Sequence, residues 1–345
     1  MHTYNDRRRF ARRIQRYLIA FQTAGLLAAF SGCGQTHDWL MVQSREHHPL
    51  IYVANESSNS VSVVDTGTYE VIGTIDTKNH GTHDLALSRD GQLLLATNQA
   101  SGRLSIIDTT SRETLASIYT GNRCHMVMLT NDHSQAWVTN IGDDTISIVD
   151  LESFRIVGAI AGGKGPMGIA FAEDGHYAYV SNHGDKTVSV IDTASHRIVK
   201  SIPVGPNPHF LTLGPDGRIW GTNADGNDIY IIDPATQEKV ASFEVGDRPQ
   251  QIAFGYRGSQ GPFAFVTIGA AKKVVAVNAD IKNLKAVEDI FVGEAPNGIW
   301  ANPEGTRLYV GHERSNDVRV IDTGTSHVIE TVEVGRKPIR VVVSR

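Results

Sequence analysis

Metal-type and polar side chains recur in this chain at intervals of about 42 residues, a period typical of stacked structural repeats. Aligned on the residue just before a short apolar run, the series reads His83, Cys124, Met167, His209, Gln250, Asn297 and Ile339. The residues that follow are Asp84, His125, Gly168, Phe210, Gln251, Gly298 and Arg340. A purely structural position would keep one residue type. This one collects imidazole, thiol, thioether and amide. Imidazole with thiolate and thioether suits copper or another soft-to-borderline transition metal, with Met167 a weak ligand. His183 and His312 fall in neighbouring turns and join the candidate set. Arg123, Arg248, Lys337 and Arg340 lie in the same segments and could pair with the carboxylates of a ligand. The plain alternative is that all these residues line a water-filled channel mouth. No CxxCH, HExxH or GxSxG motif and no phosphate- or dinucleotide-binding Gly motif occurs, which points to binding rather than catalysis.

The elements that must position these residues are strands. The same phrase returns seven times: a strand ending in Asn, an Asn/Asp/Gly-rich turn, and a strand ending in Asp. The copies begin at Tyr52, Leu94, Ala136, Tyr179, Ile219, Phe265 and Tyr309. Residues 166–202 read as a four-stranded antiparallel meander. It runs from Pro166-Met167-Gly168-Ile169-Ala170-Phe171 to Arg197-Ile198-Val199-Lys200-Ser201-Ile202, with Gly175 in the first turn. A repeat of this length cannot bury its apolar face alone, so copies must stack, and four strands per copy make one propeller blade. The repeats begin at Leu50-Ile51-Tyr52-Val53 with a second strand and end at Ile339-Arg340-Val341-Val342-Val343 with a first strand. The expected fold is therefore all-β, a seven-bladed β-propeller of four-stranded antiparallel blades over residues 49–345. Its ring is closed by pairing the C-terminal strand with the N-terminal blade, which removes open edges. The strand-ending Asp65, Asp108, Asp150, Asp192, Asp233 and Asp322 are expected to cap turns. The strand-ending Asn residues are expected to be structural too.

The endings YVAN, WVTN and YVSN, followed by SVSVVDT, ISIVD and SVIDT, resemble the YVTN family of bacterial β-propellers over about residues 49–343. The sixth copy departs most, with Ile268 in place of Asn and Asn278 in place of Asp. The segment Tyr256-Arg257-Gly258-Ser259-Gln260-Gly261 is expected to make the fifth-to-sixth junction irregular. Relatives with this general repeat carry haem d1 in nitrite reductase domains and in maturation lipoproteins. The resemblance thus implies haem d1 as a second candidate cofactor beside copper.

Residues 1–32 carry six Arg and one Asp, and an apolar stretch follows from Tyr17 to Phe30. A basic region, a short apolar region and small residues make an export signal. Phe30-Ser31-Gly32-Cys33 resembles a bacterial lipoprotein box, which implies lipidation at Cys33. Gly34 after it implies outer-membrane sorting. Asp6-Arg7-Arg8-Arg9-Phe10-Ala11-Arg12 also resembles a twin-arginine export motif, and general export and an uncleaved anchor stand as alternatives. Residues 33–48 read as a tether. With Cys33 acylated, Cys124 has no disulfide partner.

The chain carries a formal charge of −5, and the part after residue 32 is close to −10, which argues against nucleic acid. The expectation is a monomeric protein of the bacterial cell envelope, on its periplasmic side and held at the outer membrane by lipid. Its channel face would take a small molecule, a metal or a protein partner. A redox or cofactor-maturation protein is the alternative, and a cell-surface adhesion module is a third. Each buried acyl CH₂ contributes about 0.8 kcal/mol, so two or more chains anchor stably. Cys33→Ala should accordingly move the protein from the membrane fraction to the soluble fraction. Continued membrane association of that variant would instead indicate an uncleaved helix at residues 17–30.

Overall fold

The residue immediately before each innermost strand is left-handed in all seven repeats: Gly81 (φ 74°), Arg123 (52°), Gly165 (61°), Asn207 (51°), Arg248 (62°), Ala295 (51°) and Lys337 (56°). A computed structural model describes residues 48–345 and shows what this kink does. The chain arrives from the rim of one blade, turns sharply, and starts the next blade at the axis. Its carbonyl then accepts an N–H from the loop after the second strand, as Arg123 does from Ile141 and Arg248 from Gly269, both at 3.2 Å. A non-glycine residue in this conformation costs about 1–2 kcal/mol, so the geometry is held by the surrounding pairing. The export segment 1–32, Cys33 and nearly all of the tether 33–48 lie outside the described residues.

Twenty-eight strands form seven four-stranded antiparallel sheets. Blade one pairs the inner strand Pro338–Val343 with Leu50–Asn55, then Ser60–Asp65 and Val71–Asp76. The register places Tyr52 opposite Val342 and Val53 opposite Val341. The expected closure is therefore present. The inner strands of blades two to seven are Thr82–Leu87, Cys124–Leu129, Pro166–Phe171, Pro208–Leu213, Pro249–Arg257 and Pro296–Ala301. Between blades, apolar side chains interdigitate. Trp137 of blade three meets Phe171 of blade four edge-on at 5.3 Å, and Trp220 of blade five meets Phe254 of blade six at 5.4 Å.

The repeated polar residues play the expected structural parts. Oδ1 of Asp65, Asp108, Asp150, Asp192, Asp233 and Asp322 accepts a backbone N–H in the following turn at 2.6–2.9 Å. Nδ2 of Asn55, Asn98, Asn140 and Asn182 donates to Ser62, Ser105, Ser147 and Ser189 of the third strand, at 2.8–3.1 Å. Gly121, Gly205 and Gly335 pass so close to Asn140, Asn223 and Asn55 that a Cβ would stand only 2.5–2.6 Å away.

Blade six differs from the expectation. It is regular in topology, and Tyr256–Gly261 is no junction between blades. It is a hairpin inside blade six, whose first two strands have lengthened to nine residues each, Pro249–Arg257 and Gln260–Ile268.

A buried ion pair joins neighbouring blades one and two at the axis. Arg340 Nε of the closing strand lies 3.0 Å from Asp84 Oδ1 of blade two, and both residues are at most 5% exposed. Arg340 Nη1 donates to Gln251 Oε1 of blade six at 2.8 Å, and the guanidinium lies over Phe210 and Trp300 at 5.3 and 5.0 Å. One side chain thus joins blades one, two, five, six and seven. Removing one partner of a buried pair costs about 3–5 kcal/mol, whereas an apolar replacement of both is often neutral. Arg340→Ala should therefore lower unfolding stability by about that amount. The double variant Asp84→Leu/Arg340→Met should recover most of it in urea titrations. A loss below about 1 kcal/mol in the single variant would show that the pair is exposed to water.

Candidate functional site

Each inner strand slips its pairing at its start. The register jumps from Thr82 to Leu85, Cys124 to Val127, Pro166 to Ile169, Pro208 to Leu211, Pro249 to Ile252 and Pro296 to Ile299. In blades two to seven two residues are thereby freed from the ladder, in blade one only Ile339, and such bulges re-aim side chains. The first freed residues form an upper ring: His83, His125, Met167, His209, Gln250 and Asn297, completed by Ile339 of blade one. The second form a lower ring of Asp84, Met126, Gly168, Phe210, Gln251 and Gly298, completed by Arg340 of blade one, which stays paired with Ala54.

The freed backbone groups are satisfied by buried hydroxyls from the second strands. Thr97, Thr139, Ser181, Thr222 and Thr267 each accept the lower-ring N–H of their own blade at 2.8–3.2 Å. Each also donates to the upper-ring carbonyl of the next blade: His125, Met167, His209, Gln250 and Asn297, at 2.6–2.9 Å. Blades one and seven have Ala54 and Gly311 at this place. These hydroxyls were missed in the sequence reading, although a Thr or Ser just before the Asn position in five copies signals them. Lower-ring side chains help as well. Asp84 Oδ2 accepts the Val127 N–H at 2.9 Å and Met126 Sδ that of Ile169 at 3.3 Å.

Three histidines converge on this ring. The His83 and His125 rings lie 4.3 Å apart, and those of His125 and His209 5.7 Å. Together with Asp84, Gln251 and Asn297 they line a chamber of about 40 Å³, room for a few water molecules or one ion. Two of the lining residues, Asp84 and Gln251, are the partners of the buried Arg340. Burial first, then the repulsion that a protonated His83 would meet from His209, Lys337 and Arg340, pushes the imidazole down to about 3. Burial and the two neighbouring histidines lower His125 well below its usual value, and burial lowers His209. All three are neutral at physiological pH. The Nδ1 atoms of His83 and His125 are buried without a hydrogen-bond partner, whereas His209 Nδ1 stands 3.4 Å from the Gln250 carbonyl. Among the described residues, no group of three His, Cys, Asp or Glu is already set in metal-holding geometry.

The other candidates separate. Met167 faces a second, open recess of about 420 Å³ beside the ring, shared with Arg123, His183, His209 and Arg248. His183 lies on its exposed edge, with Nδ1 2.5 Å from Asn207 Oδ1. Cys124 is out of the ring. It takes the place of Thr82 and of the strand-opening prolines, one residue before the upper ring, and is fully buried between blades. Its Sγ lies 3.5 Å from the Arg103 carbonyl, and burial pushes the thiol up to about 11, leaving it unreactive. His312 is also no channel residue. It occupies the strand-ending Asn position of blade seven, fully buried, with Nδ1 3.0 Å from Asp317 Oδ1. Arg340 is spent on Asp84, and Lys337 pairs with Glu56 at 2.9 Å, so neither is free for a ligand.

A family model described as YNCE-like beta-propeller matches residues 29–136 and 117–214. The chain belongs to the YNCE-like β-propeller family. No curated protein matches it. Among solved structures, this YNCE-like propeller is similar to a functionally unknown protein of Desulfotomaculum acetoxidans at 17% identity. That match covers 86% of this chain and 99% of the other, with a TM-score of 0.75. It is similar to hydrazine synthase of Kuenenia stuttgartiensis at 18% identity, covering 76% and 95% with a TM-score of 0.67. It is also similar to dihydro-haem d1 dehydrogenase in complex with its ligand at 14% identity, covering 85% and 74% with a TM-score of 0.64. At these identities the likeness is one of fold.

The lowered histidines give a pH signature. A folded-state imidazole held below its unfolded value near 6.5 resists protons that the unfolded chain accepts. In metal-free protein under chelator, stability should be level above about pH 6.5 and fall as pH drops towards about 3, by at most about 1.4 kcal/mol per pH unit for each histidine. His83→Gln should flatten this slope. An unchanged slope in urea titrations across that range would show that His83 titrates normally.

Proposed function

We propose that this YNCE-like propeller is an exported, lipid-anchored binding scaffold that holds a small ligand at its channel mouth. The observation that carries the reading is the convergence of three neutral imidazoles on one small chamber, two of them with unpartnered buried Nδ1 atoms. Leaving such atoms unpaired costs about 1–3 kcal/mol each, a cost that a ligand at the mouth would relieve. Neutral imidazole is a good donor for copper and neighbouring transition metals. His83, His125 and His209 would hold such an ion after ring rotation, with Met167 nearby as a weak thioether donor. The metal would supply a Lewis-acid or redox centre. The chain's own residues would orient the imidazoles of His125 and His209 through the hydroxyl-bonded carbonyls beneath them.

A second reading, a haem d1-handling protein, is favoured by the open recess next to His209. At about 40 Å³ the chamber cannot admit a macrocycle, so a tetrapyrrole would have to lie across the mouth, over the recess of about 420 Å³. Dihydro-haem d1 dehydrogenase shares this fold.

Metal-free protein titrated with copper should take up one ion. His125→Ala and His209→Ala should each weaken binding by at least about tenfold, roughly the loss of one ligand from a small site, while His196→Ala on an outer turn should not. Protein that binds neither copper nor haem d1, judged by metal analysis and absorption spectrum, would overturn both readings.

A further inference from the structure

Arg123 and Arg248 stand at the left-handed position that opens an inner strand, where blades two, four and five have Gly81, Gly165 and Asn207. Glycine and asparagine adopt this conformation readily, and a long side chain does not. Strain of this kind persists where the surroundings enforce it and clusters at functional sites. Lys337, the third cation at this position, is taken by Glu56. Among the described residues the guanidinium of neither Arg123 nor Arg248 enters an ion pair or a hydrogen bond, although both edge the recess of about 420 Å³. That volume lies in the range of small-molecule pockets. The two arginines belong to blades three and six, so the intervening blades four and five separate their stems. Between them the recess presents Ile141, Met167 and Ala224, and its single carboxylate is Asp225.

We propose that this recess binds an amphipathic small molecule with a carboxylate at each end, one on Arg123 and one on Arg248, its apolar middle lying over Met167. The guanidinium fork matches a carboxylate with two parallel hydrogen bonds. Two such forks from opposite sides select a ligand by the distance between its charges, and the Met167 side excludes a uniformly polar one. The inference rests on the reading of the channel mouth as a binding site and names the ligand class for its outer part.

The test is calorimetric titration of the full chain at low salt with linear dicarboxylates from succinate to sebacate. Hexanoate and inorganic phosphate serve as single-anion probes. One chain length should bind best, and at least about tenfold better than hexanoate or phosphate. Arg123→Asn and Arg248→Asn should each weaken that binding by at least about tenfold. The same variants should raise the thermal midpoint, because asparagine relieves the left-handed strain. Binding unchanged in both variants, or a midpoint that falls, would assign the arginines a structural role and end the proposal. Phosphate as the tightest ligand, or no preference among chain lengths, would also end it. Copper uptake that depends on His125 would survive such a failure, and His125→Ala should leave dicarboxylate binding intact, so the two readings fail separately.

Discussion

Everything at the axis depends on one local event, the bulge at the start of each inner strand, two residues long in blades two to seven and one residue long in blade one. Seven strands cannot meet around a common axis with their ladders intact, because their first residues must turn from the blade plane towards the centre. The bulge achieves this turn, and it leaves N–H and C=O groups unpaired in a buried place, where each would cost about 1–3 kcal/mol. Hydroxyls on the second strands resolve the cost between blades two and seven, each accepting from one blade and donating to the next. The upper-ring carbonyls are therefore held in place by their neighbours. This is why side chains as different as His125, Met167 and Gln250 stand at equivalent positions: the backbone beneath them is set without their help, and the side chain is free to vary.

The lower ring carries a different constraint. A guanidinium and a carboxylate have been taken out of water together, and desolvation of each is expensive. The pair is tolerable because Arg340 has partners on every side: Asp84, Gln251, and the faces of Phe210 and Trp300. Its position also settles the electrostatics above. A buried positive charge beneath the histidines is one of the reasons His83 stays unprotonated. The structural pair and the candidate site are coupled through that field.

Much of the fold was legible in the sequence. Strand-ending Asn and Asp recur because each makes the same hydrogen bonds in every blade, and the closing strand was visible as a first strand without a blade of its own. The site was legible to within one residue. In five of the blades a proline opens the inner strand and marks the frame, but Arg123-Cys124-His125-Met126 has none, so Cys124 was read into the ring that belongs to His125. In a strand a slip of one residue exchanges faces, which is why the thiol lies in the interblade core. His312 was misplaced for a similar reason. It substitutes for the strand-ending Asn and takes over that residue's buried role with Asp317. The pairing of Arg340 with Asp84 had only a faint signal, opposite charges in one aligned column, since contact at the axis is set by the closed ring.

The residue that pairs with Asp84 at the chamber's edge belongs to the strand that follows all the other blades in the chain. The three histidines come from blades two, three and five, but Ile339, which also lines the chamber, and Arg340, the partner of Asp84, arrive only with that last strand. Bringing Arg340 to Asp84 requires closure of nearly the whole repeat array, and contacts so distant in sequence form late. The chamber and the closed ring are thus completed by the same strand, so the axis acquires its lining only when the first and last parts of the repeat array meet.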